Sequence, residues 1–212
     1  MGDLAGAEEV IHKTGSATGR HHMPSWVTIP LTAWQVRIWL AQDKLEAAAQ
    51  WVKEYKPGPE GQPVYLGERE NITRVRILLA QECLDEAIRI LERLQASTEA
   101  RGRVVTLIEI LNLKAIIFHT ANKTDQALVL LEKAITIAQP EGYIRIFVDE
   151  GPPMVHLLYA ALEKEIQPDY VRKLLAAFPA ERSENESKAQ TQKNEFDWVD
   201  PLSERELEVL QL

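Results

Sequence analysis

Cys83-Leu-Asp-Glu-Ala-Ile-Arg-Ile90 has counterparts at Asp3-Leu-Ala-Gly-Ala-Glu-Glu-Val10, Lys44-Leu-Glu-Ala-Ala-Ala-Gln-Trp51 and Lys123-Thr-Asp-Gln-Ala-Leu-Val-Leu130. The aligned alanines Ala7, Ala48, Ala87 and Ala127 stand 41, 39 and 40 residues apart. Each copy has a short polar turn, an alanine where two helices must approach closely, and bulky apolar residues shortly after it. A second set precedes the turns: Val36-Arg-Ile-Trp-Leu40, Val75-Arg-Ile-Leu-Leu79 and Ala115-Ile-Ile-Phe-His119. Its columns Val36/Val75/Ala115, Ile38/Ile77/Ile117 and Trp39/Leu78/Phe118 are apolar throughout. Two matched helices and a matched turn at one period predict helical hairpins that bury their apolar faces by stacking on each other.

The connections agree with that period. Lys56-Pro-Gly-Pro-Glu-Gly-Gln-Pro63 is a loop that no helix can cross, between a second helix over Asp43–Tyr55 and a first helix near Glu68–Gln81. Ala100-Arg-Gly-Arg103 serves one repeat later, and Thr14–Pro24, rich in Gly, Ser and Thr, is expected to link the opening helix to one beginning near Ile29. Past Gln139 the period stops. A short apolar segment, Glu141–Glu150, leads to Gly151-Pro152-Pro153, and residues 154–164 and 169–178 predict shorter helices, each opened by proline. These would cap the open end of an all-α, tetratricopeptide-like helical-repeat solenoid of period about 39–41 residues, assigned to 1–178. Residues 179–200, beginning PAERSENESKAQTQKNE, hold little to bury and read as a flexible polar linker. In 201–212 the chain turns apolar again behind a Ser203/Glu206 capping box, and the expectation is a helix cut short.

Composition narrows the function. Hydrophobic residues make up 45% and charged residues 26%, an ordinary globular balance. A net charge of −8 argues against a nucleic-acid binder, which needs a basic surface to displace counterions from the phosphate backbone. Cys83 is the sole cysteine, which rules out an intrachain disulfide and reads as a packing or turn residue in a reducing compartment. No apolar run reaches the roughly 18–20 residues of a membrane span, and the N-terminus has no signal-peptide pattern, so a soluble cytoplasmic protein is expected. Gly15-Ser-Ala-Thr-Gly-Arg20 lacks the Gly-Lys-[Ser/Thr] ending of a phosphate loop. His12, His21, His22, His119 and His156 show no ligand spacing, and His119 fits a partly buried packing position in the Leu40/Leu79 column. Asp149 and Glu150 read as carboxylates favoured by a helix N-terminus. With no nucleophile motif either, no enzyme activity and no cofactor are expected.

The final residues carry a resemblance. Asp-Pro-Leu-Ser-Glu-Arg-Glu-Leu-Glu-Val-Leu-Gln-Leu, 200–212, resembles the opening helix of a LuxR-type helix-turn-helix domain, L-[ST]-x-R-E-x-E-V-L-x-L. Gly-Tyr-Ile-Arg-Ile-Phe-Val-Asp-Glu-Gly-Pro-Pro, 142–153, and Pro-Asp-Tyr-Val-Arg-Lys-Leu-Leu-Ala-Ala-Phe, 168–178, are similar to the end of the helical-repeat region of MalT-like regulators. The resemblance implies a sensing and oligomerisation segment of a transcription activator. Its partners would be a small-molecule inducer or a regulatory protein, with self-association, and the DNA-reading part would follow in the longer chain. It also implies that these 212 residues alone neither bind ATP nor read DNA. A stand-alone helical-repeat scaffold for protein partners is the alternative.

In such stacks the first helices line a concave groove. The polar positions expected there are Gln35, Arg74 and Lys114 in one column and Arg37 and Arg76 in another, with Trp34, Glu109 and Asn112 nearby. Together they could hold an anionic or sugar-like inducer, with Trp34 as a stacking surface. The alternative is a solvated helix face with snorkelling arginines.

Overall fold

A computed structural model of the protein describes residues 4–19, 25–54 and 67–179. Those residues are helix and turn, without a strand among them, and through Phe178 they belong to one compact unit. Three helical hairpins form the centre: α2 (Ser25–Ala41) with α3 (Leu45–Glu54), α4 (Glu68–Ala80) with α5 (Leu84–Ala100), and α6 (Val104–Thr120) with α7 (Thr124–Ala138). Ahead of them lies α1 (Leu4–Gly19); after them come α8 (Arg145–Val148), α9 (Pro152–Glu163) and α10 (Pro168–Ala176).

The hairpin turns are copies of one backbone motif. Asp43, Glu82 and Asn122 occupy the same turn position and are left-handed, with φ of 60°, 58° and 58°. The next residue's N–H reaches back into the helix in each: Lys44 to the Trp39 carbonyl (2.8 Å), Cys83 to Leu78 (2.9 Å) and Lys123 to Phe118 (2.8 Å). This is the Schellman closure, which satisfies carbonyls that the helix end leaves orphaned. Cys83 is accordingly an exposed turn residue. The alanines that follow, Ala48, Ala87 and Ala127, are fully buried, because any larger side chain would hold the paired helices apart.

The core is a chain of clusters in which each first helix serves two neighbours. From α6, Ile110, Leu113 and Ile117 pack with Val75, Leu78, Ala87 and Leu91. The same helix sends Ile108, Leu111, Ala115 and Ile116 into the cluster with Leu131, Ile135, Phe147, Leu157 and Leu174. A helix apolar on most of its circumference must be sandwiched, and α6 is. One repeat earlier, α4 gives Ile77 to a smaller cluster with Val36 and Ala48. Polar ties fix the register. Glu68, buried at the start of α4, accepts from Thr98 (2.9 Å) and pairs with Arg103 (2.5 Å), which joins α4 to the α5–α6 turn. The Tyr170 hydroxyl donates to the Tyr143 carbonyl (2.8 Å) and so ties α10 to the turn before α8.

Several sequence-based boundaries shift. The opening helix does not end at Thr14: α1 runs to Gly19, and Thr14 Oγ1 donates to the Val10 carbonyl (2.8 Å), so the polar stretch continues the helix. Helix α2 starts at Ser25, not near Ile29, and takes Pro30 into its body, where proline removes one ladder donor. The segment expected only to be apolar after Gly142 contains the single turn α8. His119 is partly buried. The loop 56–63, His21 and His22, the linker 180–200 and the helix of 201–212 lie outside the described residues.

Left-handed backbone costs a residue with a Cβ about 1–2 kcal/mol, whereas glycine loses about 0.5–1 kcal/mol in unfolded-state entropy. Glu82→Gly is therefore expected to raise stability by up to about 1 kcal/mol, read as a higher urea midpoint. A midpoint at or below that of the parent chain would contradict this account of the turn.

Candidate functional site

The polar residues expected on one groove lie on two faces. Columns two residues apart point about 200° apart around a helix, so Arg74 and Arg76 cannot share a surface. Arg74 pairs with Glu86 of α5, and Lys114 donates to Gln95 of α5 (2.9 Å). They brace first helix against second; Gln35, in the same column, is half-buried. The single eight-residue groove of the sequence reading is thus corrected.

The other face gathers. Arg37 of α2, Arg76 of α4 and Asn112 of α6 converge on the chain's own segment 146–150, and Glu109 of α6 joins them through Arg76. The Arg76 guanidinium contacts Glu109 at 3.0 Å and Glu150 at 2.5 Å; its side chain is 10% exposed and that of Glu150 only 6%. Arg37 donates to the Asp149 carbonyl (3.1 Å) and lies over the Trp34 ring, 5.3 Å from its centroid. Trp34, three residues earlier on the same face, is 50% exposed. Asn112 is fully buried; its amide nitrogen donates to the Ile146 carbonyl (3.2 Å) and its Oδ1 accepts no hydrogen bond.

Local structure explains how residues 146–150 reach this place. Phe147 is buried in the terminal cluster and anchors α8. Gly151 then takes φ 72° and ψ −154°, a region essentially confined to glycine. The turn separates Glu150 from α9, whose first turn holds no acidic side chain. The helix-dipole role expected for Asp149 and Glu150 is therefore corrected: Asp149 pairs back to Arg145 (2.9 Å) and Glu150 pairs with Arg76. Sequence reasoning missed Glu150 as a site residue. The available signal was two arginines in otherwise apolar first-helix segments, which require an acidic partner, and a lone acidic pair beside a glycine.

Burial opposes charge here, and the partners offset it unequally. For Arg76, desolvation works against the cation, but Glu150 and Glu109 outweigh it and hold its pKa above the ordinary value. For Arg37, burial and the like charge of Arg76 push the pKa down, with the nearby carboxylates opposing. Burial pushes the Glu150 carboxyl above its usual range, and Arg76 and Arg37 only partly counter it. Among the described residues no cluster of His, Cys, Asp and Glu could hold a metal ion, and no helix is long and apolar enough to cross a membrane.

Removing one partner of a buried pair leaves the other charge uncompensated. Arg76→Ala is expected to lower stability by about 3–5 kcal/mol. Lys133→Ala, at the exposed Lys133–Glu99 pair, should cost no more than about 1 kcal/mol; urea unfolding of both variants measures the contrast. The pH dependence has a definite sign. A carboxyl raised on folding binds its proton more tightly in the native state, so its contribution is whole below the ordinary 4.5 and is lost as pH rises through the higher folded value. Glu150→Gln should flatten that fall in a stability–pH profile, and an unchanged slope would count against it.

The chain matches the family model of the MalT-like TPR region over residues 1–165. It is 30% identical over 174 residues to the HTH-type transcriptional regulator MalT of Cronobacter sakazakii, covering 79% of this chain and 18% of that protein. The regulators of the same name from Serratia proteamaculans and Yersinia pestis are 29% and 26% identical, over 62% and 79% of this chain and 14% and 18% of theirs. The chain thus spans less than a fifth of the length of these relatives. With its three stacked hairpins, matched turns and terminal helices, the chain belongs to the MalT-like TPR region family.

Proposed function

We propose that this chain is the signal-sensing and oligomerisation segment of a bacterial transcription regulator. A small-molecule inducer or a regulatory protein docks on the first-helix face that carries Trp34, Arg37, Arg76, Glu109 and Asn112. Its occupancy is relayed through residues 146–150 to the terminal helices, then along a polar tether over 179–200 to a LuxR-type DNA-binding domain that opens at 201–212. The relatives named as transcriptional regulators support this, and they carry no enzyme name. A protein of that kind works beside the chromosome, in the cytoplasm, and binds DNA only through the further domain.

One observation carries the reading. Residues from three successive first helices meet a segment that belongs to no repeat. A ligand seated on that face perturbs groups that also hold the connection to α9, whereas one seated elsewhere on a solenoid alters only adjacent repeats. Binding and relay then share the same side chains.

A thermal-shift screen of sugars, nucleotides, carboxylates and aromatic metabolites tests this directly. A ligand selective for the native state at a hundred times its Kd adds about 2.7 kcal/mol. At least one compound class is expected to raise the melting temperature of the chain, with the gain abolished by Trp34→Ala. Hits that survive Trp34→Ala would place the sensing surface elsewhere.

A further inference from the structure

We propose that the Arg37–Arg76 pair is a receptor for an oxyanion, the carboxylate or phosphate of a small hydroxylated ligand, and that Glu150 fills it as the chain's own stand-in. This rests on the sensing role given above to the same face, and it names the charged group that the face selects.

The two guanidiniums are unequally served. Arg76 meets two carboxylates, at 3.0 and 2.5 Å. Arg37 pairs with no carboxylate among the described residues; its polar contact is one bond to the Asp149 carbonyl, and its flat side lies against Trp34. A guanidinium offers five donors in a planar fork suited to bidentate oxyanions. Burial and the like charge of Arg76 both press on Arg37, a strain that a second oxyanion oxygen shared between the two cations relieves. A ligand cannot add its charge while Glu150 keeps its own, since Glu109 and Glu150 already set two carboxylates against the two cations; it must replace Glu150.

Replacement is built into the geometry. Glu150 belongs to no repeat and comes from a short connection, held on one side by the single turn α8 and on the other by the glycine-only bend at Gly151. Its withdrawal breaks no helix. Asn112 supplies a second determinant: its Oδ1 is buried, accepts nothing, and sits one turn from Glu109 on α6. A hydroxyl on the ligand satisfies that acceptor, whose present desolvation is uncompensated. The ligand class is therefore an oxyanion with a hydroxyl donor, such as a hydroxy acid or a phosphorylated sugar.

The test is chemical rescue in the 212-residue chain. Glu150→Ala empties the carboxylate position and should melt lower than the parent. Sodium acetate or inorganic phosphate should restore at least about 3 °C beyond sodium chloride of matched ionic strength. The parent chain should move less, and Arg37→Ala combined with Glu150→Ala should lose the effect. Restoration by acetate alone marks a carboxylate ligand and by phosphate alone a phosphate ester; either supports the receptor. Indifference to both anions, or rescue that survives loss of Arg37, overturns it. Should Glu150→Ala fail to fold without added anion, Glu150→Gln replaces it: phosphate binding by calorimetry should be at least about tenfold tighter than in the parent, and equal affinity overturns the proposal. Rescue beside a ligand screen without hits keeps the oxyanion receptor and removes the sensing role. A neutral hit without rescue does the reverse.

Discussion

Close approach at three alanines is the constraint on which the rest of the stack depends. With Ala48, Ala87 and Ala127 fully buried, each second helix lies near enough to its partner for the flanking leucines and isoleucines to close a common core. First helices are then enclosed on two sides, as α6 is between the Leu91 and Leu131 clusters. A hairpin of this kind has no interior of its own. It borrows half of one from each neighbour, so stability accumulates along the stack rather than at a centre.

The cluster around Arg76 follows a different rule. Helix packing links positions about one hairpin apart, but Arg76 and Glu150 are 74 positions apart, and Arg37 and the Asp149 carbonyl 112. These bonds tie the first helices of two repeats to a segment that lies after the repeats. They also explain why arginines occur in segments whose other positions are apolar: the cations face a turn of backbone and carboxylate that arrives after the repeats end. A buried ion pair of this sort contributes little net stability compared with an apolar substitute. What it supplies is a particular placement of α8 and of the bend at Gly151.

Legibility in the sequence tracked periodicity. Val36, Val75 and Ala115, the paired isoleucines and the three alanines sit at one spacing, and their burial follows the columns. The turns were readable for the same reason, although their left-handed residues are Asp, Glu and Asn rather than glycine. The tail of α1 was not readable, because Gly, Ser and Thr lower helix propensity without forbidding helix, and Thr14 can bond within it. The site was half readable. Arg37, Arg76, Glu109 and Asn112 do converge, but a column names a helix position and not the partner it meets. Arg74 and Lys114 therefore looked equivalent to Arg76 until the helix rotation separated them. Glu150 left no periodic trace, since its partner lies 74 positions upstream and its own segment repeats nothing.

The span of those bonds also orders events during synthesis. Hairpin turns close loops of a few residues, and helix pairs need only their immediate neighbours, so each can form as soon as it leaves the ribosome. The bond from Arg37 to the Asp149 carbonyl must wait until the whole repeat array has emerged. Loop-closure entropy grows only slowly with length, about 0.6 kcal/mol per doubling, so the delay reflects chain availability more than cost. In the finished protein the same asymmetry runs backwards. The contact of longest sequence span, between α2 and the bend before α9, is one that local opening can release without melting any helix.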